Sequence, residues 1–451
     1  MIDFITQDFE PSSAAAWKQK IQFELDGADY NENLLTKTNE GITIKPFYHA
    51  DNFEKLNIPD ANGDFKICQN ITITTTKEAN QKAIDVIKRG ANSLKFISSK
   101  PFNHKELFHS LLNKNIEFHL QLEFLSEDFT NAIFNYLKKE TFFFNIDIIG
   151  KLVKTGNWYK SLNDDFKILE NIVLKNPSKN ILSVDVSIYQ NAGANTVQQV
   201  AYALSHANEY LTKFGAIIAN NIQFNFSIGS NYFFEISKIR AFRYLYNLIL
   251  KTYDTRATAI IFAEPSLRNK TLYDFNINIL RTSTECMSAI LGGVNTISNC
   301  SYDHLFHNEN EFGERISRNQ LLILKEECNF KNAQNIPTDS YYIETTTKQI
   351  AEKALDIFKE IEASGGFLKH LKKGTIQRKI SENAKKEQQQ FNSGNLVLLG
   401  TNKHRNKQDK MKDDLQKNPF IKYNPNKTLI IPIVPKRLAE RLEFKRLKDE
   451  A

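Results

Sequence analysis

The middle of the chain alternates short runs rich in β-branched and aromatic residues with longer stretches whose apolar positions recur every three to four residues. Eight runs read as strands: Ile71–Thr76, Leu94–Ser98, Ile116–Leu120, Phe143–Ile148, Ile181–Ser187, Ile222–Ile228, Ala257–Ala263 and Val294–Ser298. Helical patterns lie between or after them. Val197, Val200, Ala201, Leu204, Ala207 and Leu211 share one face, and Gly215 follows as a stop. Ile277, Leu280, Thr284, Met287 and Leu291 step by three and four before Gly292-Gly293, and a third helix runs from about Ile316 to Glu327. Strands that alternate with helices predict a parallel sheet, because parallel neighbours need a long return connection. Eight β-α units is the number that closes a barrel. The glycine-rich first turn of an open doubly wound sheet, G-x-G-x-x-G, is absent, as is the phosphate loop G-x-x-x-x-G-K-[ST].

The predicted fold is therefore α/β, a TIM (β/α)8 barrel over residues 63–332 with two extensions. Residues 1–62 form an N-terminal helix, around Ala14–Leu25, and an extended arm through GITIKPFYHA. Residues 333–451 form a helical, basic C-terminal extension. It reads as a helix near Thr346–Ala363, a break at Gly365-Gly366, a charged helix around Ile376–Phe391 and a polar Lys/Asn stretch. A final arm ends in a short amphipathic helix with Leu438, Leu442 and Leu447 as contacts.

Composition narrows the class. With 451 residues, 41% apolar and 25% charged, a well-filled core is available, and 17 Gly and 11 Pro exclude collagen-like or linker-dominated chains. No run reaches the length of a membrane span. The opening MIDFITQDFEPSS is acidic and lacks the basic and apolar regions of a secretory signal, so a cytoplasmic protein is expected. Cys68, Cys286, Cys300 and Cys328 have no C-x-x-C spacing and are expected as buried free thiols. Charge is uneven: Phe367 to Ala451 holds 21 basic and 9 acidic residues, a net of +12, against −5 for the rest. That tail is Lys, Asn and Gln with few aromatics, which fits a protein partner or a solvated surface better than nucleic acid.

Candidate chemistry is sparse. His304 and His307 lie near Asp303, Glu309 and Glu311, but no H-E-x-x-H helix supports a metal, and the segment reads as a solvated loop. The adjacent Glu326-Glu327 pair diverges and reads as surface. Arg240, Arg281, Arg315 and Arg318 sit in patterned helices, either as clamps for an anion or as partners of Glu235 and Glu285 that fix the helices. No G-x-S-x-G elbow or Cys/His signature is present.

Several blocks resemble the methylmalonyl-CoA mutase family. They are Trp17…Leu25-Asp26-Gly27…Thr38–Tyr48, Ala192-Gly193-Ala194, IGSNYFFEISKIRAFR (Ile228–Arg243), NILRTSTECMSAILGG (Asn278–Gly293), Glu311–Glu327 and Gly365-Gly366…Asn402-Lys403. The resemblance covers most of the chain and is weakest from about 60 to 180. It implies a barrel threaded by a CoA ester and capped by a cobalamin domain, with adenosylcobalamin supplying the radical chemistry that interconverts methylmalonyl-CoA and succinyl-CoA. The departures are informative. The cobalt-binding string D-x-H-x-x-G is missing, and Asp303-His304 has the wrong spacing. Where the family has its catalytic Tyr-His pair, this chain has Ser187 and Ile188, and Ile can donate neither hydrogen bond nor proton. The family's His-x-Gln-Thr-Ser block appears as Phe262-Ala263-Glu264-Pro265-Ser266, and its Arg-Pro-Trp and Arg-Gln-Tyr segments are absent where Phe65–Asn70 stands.

The resemblance thus implies no catalytic, cofactor or metal residues in this chain. It implies the small subunit of a heterodimeric member, supporting a large (alpha) subunit that carries adenosylcobalamin, with no nucleic-acid or membrane partner. LIIPIVPKRLAERLEFKRL resembles the ending of such small subunits, and both arms are expected as contact elements. Some of Phe96, Phe118, Leu120, Phe143 and Phe144 are expected to face inward and close the lumen. A freestanding barrel enzyme holding a CoA ester through Arg240, Arg281 and Ser266 is the alternative. A scaffold binding anionic partners through the Lys-rich tail is a third.

Overall fold

The computed structural model describes residues 12–61, 63–177, 179–255, 257–331, 333–420 and 427–450. A short antiparallel hairpin, β1 (Thr36–Lys37) and β2 (Thr43–Ile44), belongs to the N-terminal arm. Eight strands follow: β3 (Lys66–Thr72), β4 (Ser93–Ser98), β5 (Glu117–Leu122), β6 (Thr141–Ile146), β7 (Asn180–Asp185), β8 (Ile222–Ile228), β9 (Ile260–Pro265) and β10 (Thr296–Ser298). Each pairs in parallel with its neighbours, and pairing of β10 with β3 closes the ring. This is the TIM barrel expected from the β-α alternation. Among the described residues no second sheet follows β10, so no cobalamin-binding domain is present there.

Strand ends differ from the sequence reading where a polar side chain starts a helix. The Thr74–Thr76 run ends no strand, because Thr75 caps the helix Thr76–Lys88 by accepting from the Glu78 amide. Asp147 likewise caps Ile148–Thr155 by accepting from the Gly150 amide at 2.7 Å, which turns the apolar run Phe143–Ile148 out of the sheet. Strand β3 begins five residues earlier than Ile71 because its lumen-facing residues include the polar Asn70, which breaks the apolar pattern.

The C-terminal extension adds a second layer. Helix Tyr341–Ala363 packs on Thr196–Phe214 and Tyr232–Thr252, and the helices Phe367–Lys372 and Thr375–Ser393 follow. The chain then returns as a strap. Leu429 and Ile430 donate to Gly156 O (3.0 and 3.2 Å), Ile433 to Val153 O (2.8 Å), Lys436 to Asn191 O (2.8 Å) and Leu438 to Arg268 O (2.9 Å). Those carbonyls follow β6, β7 and β9, so the strap crosses the C-terminal mouth of the barrel before the last helix, Glu440–Asp449.

Candidate functional site

Contacts between strands that are not neighbours can form only across the lumen, and they identify what fills it. His119 on β5 meets Phe262 of β9 edge-on (4.9 Å) and stacks on Phe143 of the adjoining strand β6 (4.8 Å). Lys95 on β4 reaches Glu264 on β9 at 3.3 Å and lies 4.8 Å over the Phe262 ring. Thr296 on β10 donates to Glu117 on β5 at 2.6 Å, and His119 bonds the same oxygen at 2.8 Å. Burial alone would raise the Glu117 carboxyl; the His119 and Thr296 bonds outweigh it and hold Glu117 below the usual carboxylate range. His119, Phe143 and Phe262 are 1%, 5% and 1% exposed, so the axis is closed at mid-barrel by one imidazole and two phenyl rings.

Of the bulky strand residues expected to include inward-facing ones, one does face the lumen. Phe143 points inward, whereas Phe96 and Phe118 pack edge-on against Phe108 outside the sheet, and Phe144 packs on Phe134 of the helix Glu127–Tyr136. Leu120 shares the face of Phe118 and is buried with it. Phe262 supplies the second inward ring, which its neighbours Ile261 and Ala263 gave no way to distinguish.

Above the plug, the barrel opens into a cavity of about 410 Å³ at the C-terminal mouth, bounded by strand ends and by Ile433 and Pro435 of the strap. Asp185 ends β7 and accepts from the Ser187 hydroxyl at 2.5 Å and its amide at 3.2 Å. Burial pushes the Asp185 carboxyl up, against the Ser187 bond. Ile188 is 7% exposed beside it. Asp147 sits at the same rim and accepts from His206 Nε2 (3.0 Å), the Tyr210 hydroxyl (2.7 Å), Gly150 N (2.7 Å) and Asp185 N (2.8 Å). Its burial is outweighed by His206 and these amides, so it stays below the usual carboxylate range, and an ionised carboxylate requires Nε2 to be the donor. Tyr189 closes the chain of bonds at His206 Nδ1 (3.0 Å), and Phe367 stacks on His206 from outside. Sequence reasoning passed over Asp147, His206 and Tyr189 because no motif links residues so far apart; the Asp147 helix cap was the one local signal.

The other residues singled out earlier lie elsewhere. Arg240 pairs with Glu344 of the C-terminal extension, not with Glu235, which Lys238 takes. Arg281 donates to Thr271 Oγ1, Asn278 Oδ1 and Leu399 O, each at 2.8 Å, while Glu285 is held by Lys270 at 2.7 Å. Arg318 donates to Gln69 at 3.0 Å on the outer face of β3, and the exposed Arg315 lies 3.8 Å from Glu311. These arginines are thus spread through the helical shell and do not converge. Ser266 is fully buried, bonded to Asn191 at 2.9 Å. His307 is clamped between Asp303 (3.1 Å) and Asp414 (3.0 Å), Glu309 pairs with Lys82, and Glu311 with Arg89. Among the described residues no three His, Cys, Asp or Glu side chains are placed to hold a metal. Glu326 and Glu327 close a π-helical turn after Glu311–Leu322 and are exposed. Of the cysteines, Cys68 and Cys286 are buried and Cys300 is partly so; Cys328 is exposed at the end of that turn, contrary to the buried thiol expected. No helix among the described residues is long and apolar enough to cross a membrane.

Comparison with known proteins supplies the family. The methylmalonyl-CoA mutase family model matches residues 139–426. The methylmalonyl-CoA mutase small subunit of Porphyromonas gingivalis is 33% identical over 441 residues, covering 88% of this chain and 71% of that protein. The methylmalonyl-CoA mutases of Cereibacter sphaeroides and Escherichia coli are 33% and 31% identical, over 53% and 51% of this chain. This chain spans only 35% and 34% of those two mutases. With its closed parallel barrel and a small-subunit relative matched along most of its length, the chain belongs to the methylmalonyl-CoA mutase family.

Proposed function

We propose that this chain is the small, non-catalytic subunit of a cytoplasmic, adenosylcobalamin-dependent methylmalonyl-CoA mutase, a heterodimer whose large subunit carries the cofactor and the isomerisation. The observation that carries this reading is the mouth of the barrel. Ser187 and Ile188 stand where the resemblance places the Tyr-His pair; Ser187 is turned onto Asp185, and Ile188 offers a hydrocarbon surface. Neither side chain at these two positions offers a free proton donor, so a thioester carbonyl there would gain no electrophilic help from them. Asp185 and Glu264 line the same cavity, Glu264 already paired with Lys95 at 3.3 Å. The aromatic plug at His119, Phe143 and Phe262 leaves no axial path for a pantetheine chain.

The residues do not fit a cobalamin. The one Asp-His neighbour pair near the mouth, Asp303-His304, lacks the cobalt-binding spacing, and Asp303 is already committed to His307. No catalytic step is therefore assigned to this chain. The purified chain is expected to show no turnover of methylmalonyl-CoA and no corrinoid absorption, and to form a one-to-one active complex when co-expressed with the large subunit. Turnover by the chain alone would overturn the reading.

One observation favours the second reading, a freestanding barrel that binds a CoA ester: the 410 Å³ cavity retains polar walls. Calorimetric titration with a CoA ester decides between them, since saturable binding by the isolated chain would support the alternative.

A further inference from the structure

A cavity of about 650 Å³ lies at the N-terminal end of the barrel, away from the strap, within the size range of small-molecule sites. One wall is Arg240 and Arg243, three residues apart and so on one face of the helix Tyr232–Thr252. Another is Gly292-Gly293, where the helix Ile277–Gly292 ends. The extended segment 55–61 closes the space. It is held at one end by Glu54 on Lys348 and by Lys55 on Asp339 (2.9 Å). At the other end Asn295 Nδ2 donates to Ala61 O at 2.6 Å. Between these anchors residues 56–60 make no backbone hydrogen bond to another described residue, so the segment bridges the cavity.

The two arginines are 5% and 3% exposed, and their charges are incompletely matched. Arg243 spends its hydrogen bonds on neutral acceptors: Gly293 O from Nε (2.9 Å) and Nη2 (2.6 Å), Ala259 O (2.8 Å) and Asn295 Oδ1 (2.8 Å). The carbonyl end of a helix offers only about half a charge, so a buried guanidinium there remains under-compensated. Burial accordingly pushes the Arg243 pKa down to about 10. Arg240 pairs with Glu344 through Nη2, yet its buried Nε meets no acceptor. Of the other charges facing the cavity, Lys55 and Asp339 take each other. Asp60, on the exposed side of the bridge, acts on both guanidiniums at a distance without forming an ion pair with either.

The geometry points to a binding site for a small organic oxyanion, a phosphate or a carboxylate, whose charged group meets Arg240 and Arg243 and whose body packs on Leu56, Ile58 and Pro59. Guanidinium forks match the oxygens of both groups, and an acceptor at Arg240 Nε would satisfy a donor that the protein leaves unpaired. No barrel-strand residue lines the cavity, so the site is separate from the lumen and rests on neither reading of the mouth. The competing account is internal: Asp60 swings inward and serves as the counter-ion of Arg243 itself.

The test is calorimetric titration of the full chain with inorganic phosphate and, separately, with acetate, chloride holding the ionic strength constant. Saturable binding to one site is expected, tighter for phosphate, which brings the larger charge to two cations; binding of acetate alone would keep the site and assign it to carboxylates. Arg240→Gln/Glu344→Gln removes the ion pair whole, so that no lone carboxylate is left buried, and is expected to weaken binding about 10-fold or more. Asp60→Asn, at an exposed position, is expected to tighten it by about 2- to 5-fold by removing a competing charge. Bound phosphate should raise the melting temperature of the wild type and less that of the double variant. The inference is overturned if neither the wild type nor Asp60→Asn binds either anion, which would leave Asp60 as the internal counter-ion. It is equally overturned if the double variant binds as the wild type does. Should the double variant not fold, an unchanged affinity in Asp60→Asn would decide against the site.

Discussion

The two arms of this chain look alike as sequence and behave as opposites as structure. The C-terminal arm lays five backbone N–H groups on carbonyls at the barrel mouth and buries Ile430, Ile433 and Leu438 at 6%, 4% and 3% exposure. The N-terminal helix makes no such bond to the barrel and buries nothing. The difference teaches that an arm becomes part of a fold when its backbone finds partners. Apolar residues alone do not suffice, since Trp17 and Phe23 are larger than anything the strap buries.

The comparison breaks first at the end of the C-terminal arm. Glu443, fully buried, accepts from Arg437 at 2.5 Å and from Leu272 N at 2.7 Å, tying the last helix to the loop after β9. Glu443→Gln leaves the Arg437 charge buried without a counter-ion, which is expected to cost about 3–5 kcal/mol. Chemical denaturation of the free chain measures it, and a loss below about 1 kcal/mol would mean that the arm is not integral to the fold.

The next effect lies at Gly156, which ends the helix Ile148–Thr155 at φ 79° and receives the strap. A Cβ there would sit 2.7 Å from both Ile430 O and Thr428 Cβ. Backbone at that distance cannot yield without breaking the Leu429 and Ile430 hydrogen bonds. Gly156→Ala is expected to destabilise by about 2–3 kcal/mol, combining left-handed strain with the clash. Proteolysis between residues 427 and 440 should accelerate in parallel, reporting release of the strap.

How far these features were legible follows from the distances over which they act. The eight strands showed themselves because parallel strands buried on both faces remain apolar along their length. The same property hid which face each side chain takes, so Phe143 could not be told from Phe144, and the plug became visible only once the barrel closed. Helix charges were misread for a related reason. Proximity along the helix offered Glu235 to Arg240, but the two are five residues apart, Lys238 takes that carboxylate at i+3, and Arg240 pairs with Glu344 instead. The substitutions at Ser187, Ile188 and Glu264 were legible because they depend on local alignment. Their setting beside Asp147 and His206 was not.

A smaller, pH-dependent effect separates the arms again. His307 joins Asp303 of the barrel to Asp414 of the C-terminal extension. Burial alone would lower its pKa, but the two carboxylates outweigh this and hold it above its ordinary value. A raised histidine contributes stability that is fully present below its unfolded value, about 6.5, and is lost as pH rises through the folded one. The melting temperature of wild type over His307→Gln should therefore be highest at acid pH and fade as pH rises from about 6.5 upward. A difference that does not change with pH would show that His307 acts by packing alone.

The smallest expected effect is the sharpest statement of the contrast. Trp17→Ala removes a large aromatic that is 50% exposed from a helix with no buried residue. The free chain should change in stability by no more than about 0.5 kcal/mol, the range of surface substitutions. Leu438→Ala, at 3% exposure in the other arm, removes a smaller side chain but should cost about 2–5 kcal/mol through the cavity it leaves. Measured side by side, the pair inverts the order that side-chain size would give. If Trp17→Ala proves the more costly of the two, the N-terminal helix is packed on its own barrel in solution, and the arm that this chain holds outward is the C-terminal one.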